Sequence, residues 1–266
     1  MAEPDDRVAS GYDTFFASWD KSPALRRIWR DHVTGPDYPQ AFAHISFLPL
    51  APLRALAAGL QLTTGEQLVD VGCGAGGPGL WVAVETGAVL VGVDLSPIAV
   101  DRANERAKDL NLSTRAAFRQ GSFESTGLGT GFAHAAMTID ALQYAPDKRA
   151  AIAEFARIIR PGGRLCFVAF ELDAERLEGL GVWEDAVGDY RPLLIEAGFD
   201  LISYEQIVGW EQSVEAGFGA VIEEQGLLSA QLGEEAGAAI ALEAAITLQL
   251  RPYRGHVLAI TERRSG

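Results

Sequence analysis

The stretch from Gln67 to Gly79, QLVDVGCGAGGPG, limits the fold of this chain more than any other. Leu68 to Val71 is an apolar run holding one acid, and glycines follow at 72, 74, 76, 77 and 79. Such a run ended by glycines predicts a buried parallel strand that stops in a tight turn. Gly72, Gly74 and Gly76 can take positive φ and let a ligand approach the backbone. Leu80 onward continues as a helix, and Pro78 suits its first turn, where an amide hydrogen has no partner. Strand, glycine turn and helix start together predict a nucleotide-shaped crevice.

The pattern leaves two cofactors open. Gly72-x-Gly74-x-x-Gly77 also fits the dinucleotide fingerprint, which is weak by itself. Asp70, inside the strand, needs a partner or a ligand. A carboxylate beside a pyrophosphate is unfavourable, so a cofactor with a cationic group suits this turn better. Val89 to Asp94 reads as a second strand ending in an acid, placed to take the hydroxyls of a ribose. Ser96 then caps a helix that has Pro97 at its first position.

With these residues the chain resembles the class I S-adenosylmethionine-dependent methyltransferases, from about Leu60 to Glu171. In that family the turn matching Asp70, Gly72, Cys73, Gly74 and Gly76 holds the methionine part of the cofactor. The acid matching Asp94 binds the ribose, with Leu95 and Ser96 beside it. Gly121, Ser122 and Phe123 match the segment flanking the adenine, and Arg160 to Leu165 matches the turn into the fifth strand. Thr138, Ile139 and Asp140 match the end of the fourth strand, which lines the methionine and the transferring methyl. The resemblance implies S-adenosyl-L-methionine as cofactor and is nearest to the small-molecule branch, including quinone-biosynthesis and natural-product enzymes.

The implied fold is α/β: a doubly wound, seven-stranded, mostly parallel, Rossmann-like sheet whose last strand is antiparallel. Alternating patterns place strands near 67–71, 88–93, 114–119, 132–138 and 163–170, with helices near 78–86, 97–110 and 147–159. A helix over 190–199, a strand over 200–208 and a final strand over 256–262 complete the sheet. Three segments follow. Residues 1–60 form an N-terminal helical lid, 61–172 the cofactor-binding core, and 173–266 the end of the sheet. The last segment carries a helical cap insertion at about 211–249, with one or two helices. In the lid, Tyr12, Phe15, Phe16 and Trp19 recur at helical spacing, and Ser22 caps a second helix bearing Leu25, Ile28, Trp29 and Val33. The stripes fit packing on the core, closure over the cofactor, or both.

Composition narrows the partners. The chain has 266 residues, 48% of them hydrophobic, and a formal net charge of −14. That charge disfavours nucleic acid and anionic membrane surfaces. The acidic start argues against a signal peptide. Two cysteines, Cys73 and Cys166, lie in the turn and in a strand, so no disulfide is expected and a cytoplasmic setting fits. The histidines are scattered, so no metal site is expected. The partner expected is a small molecule, and pairing of two chains through the insertion is left open.

The catalytic candidates are His44, Tyr144 and Glu171. His44 sits in the lid, where it either packs or acts as a base. Tyr144 follows the fourth strand, and Glu171 ends the fifth. Several small-molecule relatives carry a histidine where Gln143 or Tyr144 stands, so that base does not carry over. Tyr144 and Lys148 have the spacing of a dehydrogenase pair, but Pro146 would break the helix such a pair needs. Tyr12, Trp19, Tyr38, Phe47, Tyr144 and Trp183 are candidates for aromatic pocket walls. The expected activity is methyl transfer to an oxygen or carbon of a small apolar or aromatic metabolite. Alternatives are a methyltransferase-fold cyclase or isomerase that keeps the cofactor, and an NAD-dependent oxidoreductase.

Overall fold

The computed structural model describes residues 18–19, 21–173 and 186–265. Seven strands form one sheet: β1 Gln67–Val71, β2 Val89–Asp94, β3 Ala116–Gln120, β4 Ala133–Ile139, β5 Ile159–Leu172, β6 Phe199–Gln206 and β7 Arg254–Arg263. Their order is β3-β2-β1-β4-β5-β7-β6. β1 to β5 pair in parallel, and β7 runs antiparallel between β5 and β6. The expected doubly wound sheet with a reversed last strand is present. The order turns back at β1 and β4, and this switch point opens a crevice at their carboxyl ends.

Both faces of the sheet are covered, so side chains alternate between two cores. Leu68, Leu90, Met137, Cys166, Val168 and Phe170 face one core. Val69, Val71, Ala136, Phe167, Ala169, Val257 and Ala259 face the other. The first core meets α3 (Gly77–Thr86) and α4 (Pro97–Asp109), and the second meets α5 (Lys148–Ile158) and α6 (Arg191–Glu196). The period of two along β5 has a consequence for the site: Phe170 and Glu171 point to opposite faces.

The N-terminal part and the cap share the first core. α1 (Pro23–Trp29) starts at Ser22, whose hydroxyl accepts the Leu25 amide at 3.0 Å. Leu25 and Ile28 are fully buried and Trp29 is 2% exposed. Each such side chain contributes about 1.5–3 kcal/mol of burial, so α1 is anchored and not a loose flap. α2 (Leu50–Gly59) leads into β1. Between β6 and β7 the cap has three helices where one or two were expected: α7 (Trp210–Glu223), α8 (Gln225–Leu232) and α9 (Glu234–Leu250). Gly233, at φ +93°, separates the last two. The Ser22 hydroxyl donates to Gln231 Oε1 at 2.6 Å, and Arg27 pairs with Glu224. N-terminal helix and cap therefore meet in one roof. Tyr12, Phe15, Phe16 and Trp183 lie outside the described residues.

Other boundaries moved slightly. β5 begins at Ile159, four residues before the expected start, because Ile159 still pairs with Ala133 across an irregular register. None of the described helices is long and apolar enough to cross a membrane.

Candidate active site

A large cavity opens at the carboxyl ends of β1, β2 and β4 and runs under the roof to the start of β7. At its base is the glycine turn. Gly72, Gly74 and Gly76 have φ of +71°, +52° and +77°. A Cβ on Gly72 would lie 2.6 Å from Ala141 Cβ and 2.9 Å from Phe123 Cζ, so only glycine admits the turn here. The amides of Gly72 and Cys73 both donate to the Val93 carbonyl, at 2.8 and 3.2 Å, and tie the turn to the end of β2.

Asp94 closes this end. Its two carboxylate oxygens accept the amides of Gly74 at 2.7 Å and Ser96 at 2.9 Å. Ser96 in turn caps α4 by accepting the Ala99 amide at 3.0 Å. Asp94 is thus held at the rim by two amides, and it lines the cavity with Leu95, Ser96, Gly121, Ser122 and Phe123. Asp70 lies deeper, 2% exposed. A Cβ on Gly79 would stand 2.5 Å from Asp70 Oδ2, so the carboxyl tucks under the first turn of α3. Burial, and secondarily the Asp94 charge, raises the Asp70 pKa well above the carboxylate range. Two carboxyls in one enclosed site favour a cationic guest.

The upper part is formed by segments distant in sequence. Asp140 has a left-handed backbone, φ +50°, uncommon for a residue other than glycine. One of its oxygens accepts the Phe47 amide at 2.8 Å, and the other meets His256 Nε2 at 2.6 Å. His256 is fully buried and stacks on Phe170, with ring centroids 4.1 Å apart. Asp140 thereby joins β4, the lid segment and β7. Arg106 on α4 makes a second staple, donating to the carbonyls of Ala43 and Ala75 at 3.0 and 2.9 Å. An aromatic wall runs from Trp19 through Trp29 and Phe47 to Phe170, each ring 5.4 to 6.2 Å from the next.

Most of the expected site residues are brought together. Asp70, Gly72, Cys73, Gly74, Asp94, Leu95, Ser96, Gly121, Ser122, Phe123, Ile139, Asp140, His44 and Tyr144 line the cavity. Three do not. A Cβ on Gly76 would point at Phe118 and Ala103, into the protein. Thr138 is fully buried. Glu171 lies on the opposite face from Phe170, where its oxygens accept from Tyr204 at 2.5 Å and Gln206 at 3.0 Å. The alternation of β5, shifted by one residue from the cavity face, removes it from the methyl-transfer candidates.

His44 also differs from the expected base. Its Nδ1 lies 3.1 Å from the Ser46 amide and 2.6 Å from the Ser46 hydroxyl. An amide can only donate, so Nδ1 is the acceptor and the ring proton sits on Nε2. Nε2 is buried with no hydrogen-bond partner. Burial depresses the imidazole to about 4, although Asp140 pulls the other way. At neutral pH His44 is an uncharged imidazole bordering the cavity. Burial likewise holds both thiols above their ordinary range, Cys166 at about 12, and both cysteines are free.

Comparison with known proteins decides between the cofactors. Residues 69–167 match the model of the methyltransferase domain. The core of the chain is thus a methyltransferase domain of the S-adenosylmethionine-dependent kind. It is 27% identical over 214 residues to 27-O-demethylrifamycin SV methyltransferase of Amycolatopsis mediterranei, covering 76% of both chains. It is 32% identical over 172 residues to a probable chloroplastic tocopherol O-methyltransferase of Oryza sativa subsp. japonica, covering 61% of this chain and 46% of that protein. The fold is that of the [4+2]-cyclase SpnF, with a TM-score of 0.75, 21% identity and coverage of 97% and 96% of the two chains. Geranyl diphosphate methyltransferase in complex with S-adenosylmethionine shares it at a TM-score of 0.61 and 19% identity, over 80% and 84% of the chains. The cofactor is therefore S-adenosylmethionine and not a dinucleotide. The donor set fits: a rim carboxylate for a ribose, Leu95 and Phe123 for a flat base, and two acids for a cation.

His256 and Arg106 were missed in the sequence. A reversed strand inserted beside β5 brings its first residues to the carboxyl edge, and that placement was the available signal for His256.

Proposed function

We propose that this methyltransferase alkylates an oxygen or carbon of a small apolar or aromatic metabolite, in the manner of natural-product enzymes. The observation that carries the reading is the continuity of the cavity. The acid-flanked glycine turn opens directly into the aromatic chamber under the roof, so cofactor and acceptor can meet within one enclosure. Asp70, Gly72, Cys73, Gly74, Asp94, Leu95, Ser96, Gly121, Ser122, Phe123, Ile139 and Asp140 hold the cofactor in this reading. Gly76 and Thr138 support them from behind.

S-adenosylmethionine supplies an electrophilic methyl group on a sulfonium. The protein has to align the acceptor opposite the sulfur, exclude water, and let one proton leave when the acceptor is a hydroxyl or an acidic carbon. Trp19, Trp29, Phe47 and Phe170 align and dry the acceptor. His44 orients it by donating from Nε2, and Tyr144 borders the same chamber. The two carboxyls at the base favour the sulfonium over the neutral product, which helps product leave.

Titration calorimetry with S-adenosylhomocysteine tests the cofactor assignments. Asp94→Ala is expected to weaken binding by about 1.5–3 kcal/mol, the range for hydrogen bonds to a charged partner. An unchanged dissociation constant refutes the role given to Asp94. Mass spectrometry of reactions with natural-product and quinone precursors should show products heavier by one methylene. Cofactor turnover that yields a rearranged product of unchanged mass would replace methyl transfer by isomerisation.

A further inference from the structure

Arg254 opens β7 and reaches into the acceptor half of the cavity, beside Tyr144, Gln143 and Phe170. Nothing in the cofactor reading uses it. Its guanidinium carbon stands 5.4 Å from the centre of the Phe170 ring, on the aromatic wall. Its Nε is buried with no hydrogen-bond partner. Among the described residues the side chain forms no ion pair. Glu243 on α9 lines the same cavity and feels Arg254 electrostatically, without an ion pair between them. Enclosure by the cavity walls raises the Glu243 carboxyl above its ordinary range and lowers the guanidinium, and their mutual attraction, with that of Tyr144 on Arg254, offsets the burial only in part. A cation held in an apolar chamber is costly unless something negative meets it. Asp70, Asp94, Glu124 and Asp140 also line the cavity, and among the described residues none of them forms an ion pair with Arg254.

We propose that Arg254 is the specificity-determining residue for the acceptor, and that the acceptor is an aromatic or apolar molecule bearing one oxyanion, which the guanidinium receives over the face of Phe170. The proposal rests on the methyltransferase reading. Two sources of the oxyanion share this chemistry: a carboxylate remote from the reacting atom, or an ionised phenol or enol that itself takes the methyl. A forked guanidinium suits both, and its planar face suits the ring beneath it. A diphosphate does not fit, because a single arginine near Glu243 is too little positive charge.

The test uses the full chain saturated with S-adenosylhomocysteine, titrated with naphthalenes of one shape: 2-naphthoate, 2-naphthamide, 2-naphthol and 2-(aminomethyl)naphthalene. Tryptophan fluorescence reports binding. Naphthoate is expected to bind about tenfold more tightly than naphthamide, the ratio for one charge-assisted hydrogen bond. The ratio should fall to about one in Arg254→Met and be partly kept in Arg254→Lys. S-adenosylhomocysteine affinity should stay unchanged in both variants. The absorbance of bound 2-naphthol distinguishes the sources. Its ionisation several tenths of a pH unit or more below the free value points to the phenolate or enolate, and no shift alongside tight naphthoate binding points to the carboxylate. Equal binding of naphthoate and naphthamide by the unaltered protein overturns the proposal, as does tightest binding of the ammonium compound or failure of all four to bind. The unaltered protein alone decides this if the variants do not fold. Loss of S-adenosylhomocysteine binding would instead remove the methyltransferase reading beneath it.

Discussion

His44 and Asp70 show how burial sets the charge of single side chains in this cavity. His44 is held neutral, with a depressed value of about 4 against an ordinary 6.5. Its contribution to stability is therefore complete above pH 6.5 and is lost as the pH falls toward 4, because the unfolded chain takes up the proton first. The loss is at most about 1.4 kcal/mol per pH unit for one proton. Urea unfolding of the unaltered protein should weaken more between pH 7 and 5 than that of His44→Gln; equal slopes would remove the buried-imidazole account. Asp70 has the opposite sign. Its pKa is raised in the folded state, so its stability is greatest below the unfolded value and declines as pH rises. Asp70→Asn at pH 7 should raise the stability of the free protein, because an amide carries no charge for burial and the Asp94 carboxylate to disfavour. The same change should weaken binding of S-adenosylmethionine more than that of its neutral demethylated product. Thermal melts with and without each ligand would show both effects, and a destabilised Asp70→Asn protein would contradict them.

Between elements, the lid and the glycine turn are in direct backbone contact. A Cβ on Gly77 would sit 2.5 Å from the Phe42 carbonyl and 2.8 Å from that of Ala43. Both neighbours are backbone and cannot rotate away, so Gly77→Ala has to displace the lid segment from α3. We expect a cost of about 1–3 kcal/mol, typical of overpacking, together with weaker S-adenosylhomocysteine binding. Gly129→Ala is the control, since nothing lies within 4 Å of its added carbon. Similar melting temperatures and affinities for the two variants would show that the lid does not rest on the turn. Helix α1 and the α7 to α9 cap meet through Ser22, Gln231, Arg27 and Glu224, so these distant elements form one roof.

At the scale of the molecule, β7 is the last strand in sequence and an interior strand of the sheet. It alone joins β5 to β6, antiparallel to both. A chain ended after Gly209 loses this strand and leaves the buried edges of β5 and β6 unpaired. Such a truncation should fail to fold cooperatively, even though it keeps every residue of the methyltransferase domain match at 69–167. A sharp unfolding transition in the truncated chain would mean that the cap and β7 are accessory. Those same residues complete the acceptor half of the cavity through Arg254 and the Asp140–His256 contact.

The cofactor end was legible because its signals are local. A strand, positive-φ glycines, an acid at the next strand end and a capping serine lie within 30 residues, and short-range backbone rules place them. The reversed seventh strand and the cap were legible as segments, although helix breaks at Glu224 and Gly233 were not. The acceptor end was legible only in part: Trp19, Phe47 and Tyr144 read as aromatic walls and line the cavity, but contacts made only across the sheet left no local signal. By sequence Glu171 reads as a site residue, and one residue of register on β5 turns it to the far face, toward Tyr204 and Gln206. Asp140 and His256, 116 positions apart, come together only because β7 inserts beside β5. Periodicity along the chain determined which elements exist, and the acids flanking the glycines favoured a cationic ligand at the turn. Strand order and register decided which side chains face the acceptor, since a contact between distant residues depends on how elements pack and not on their spacing.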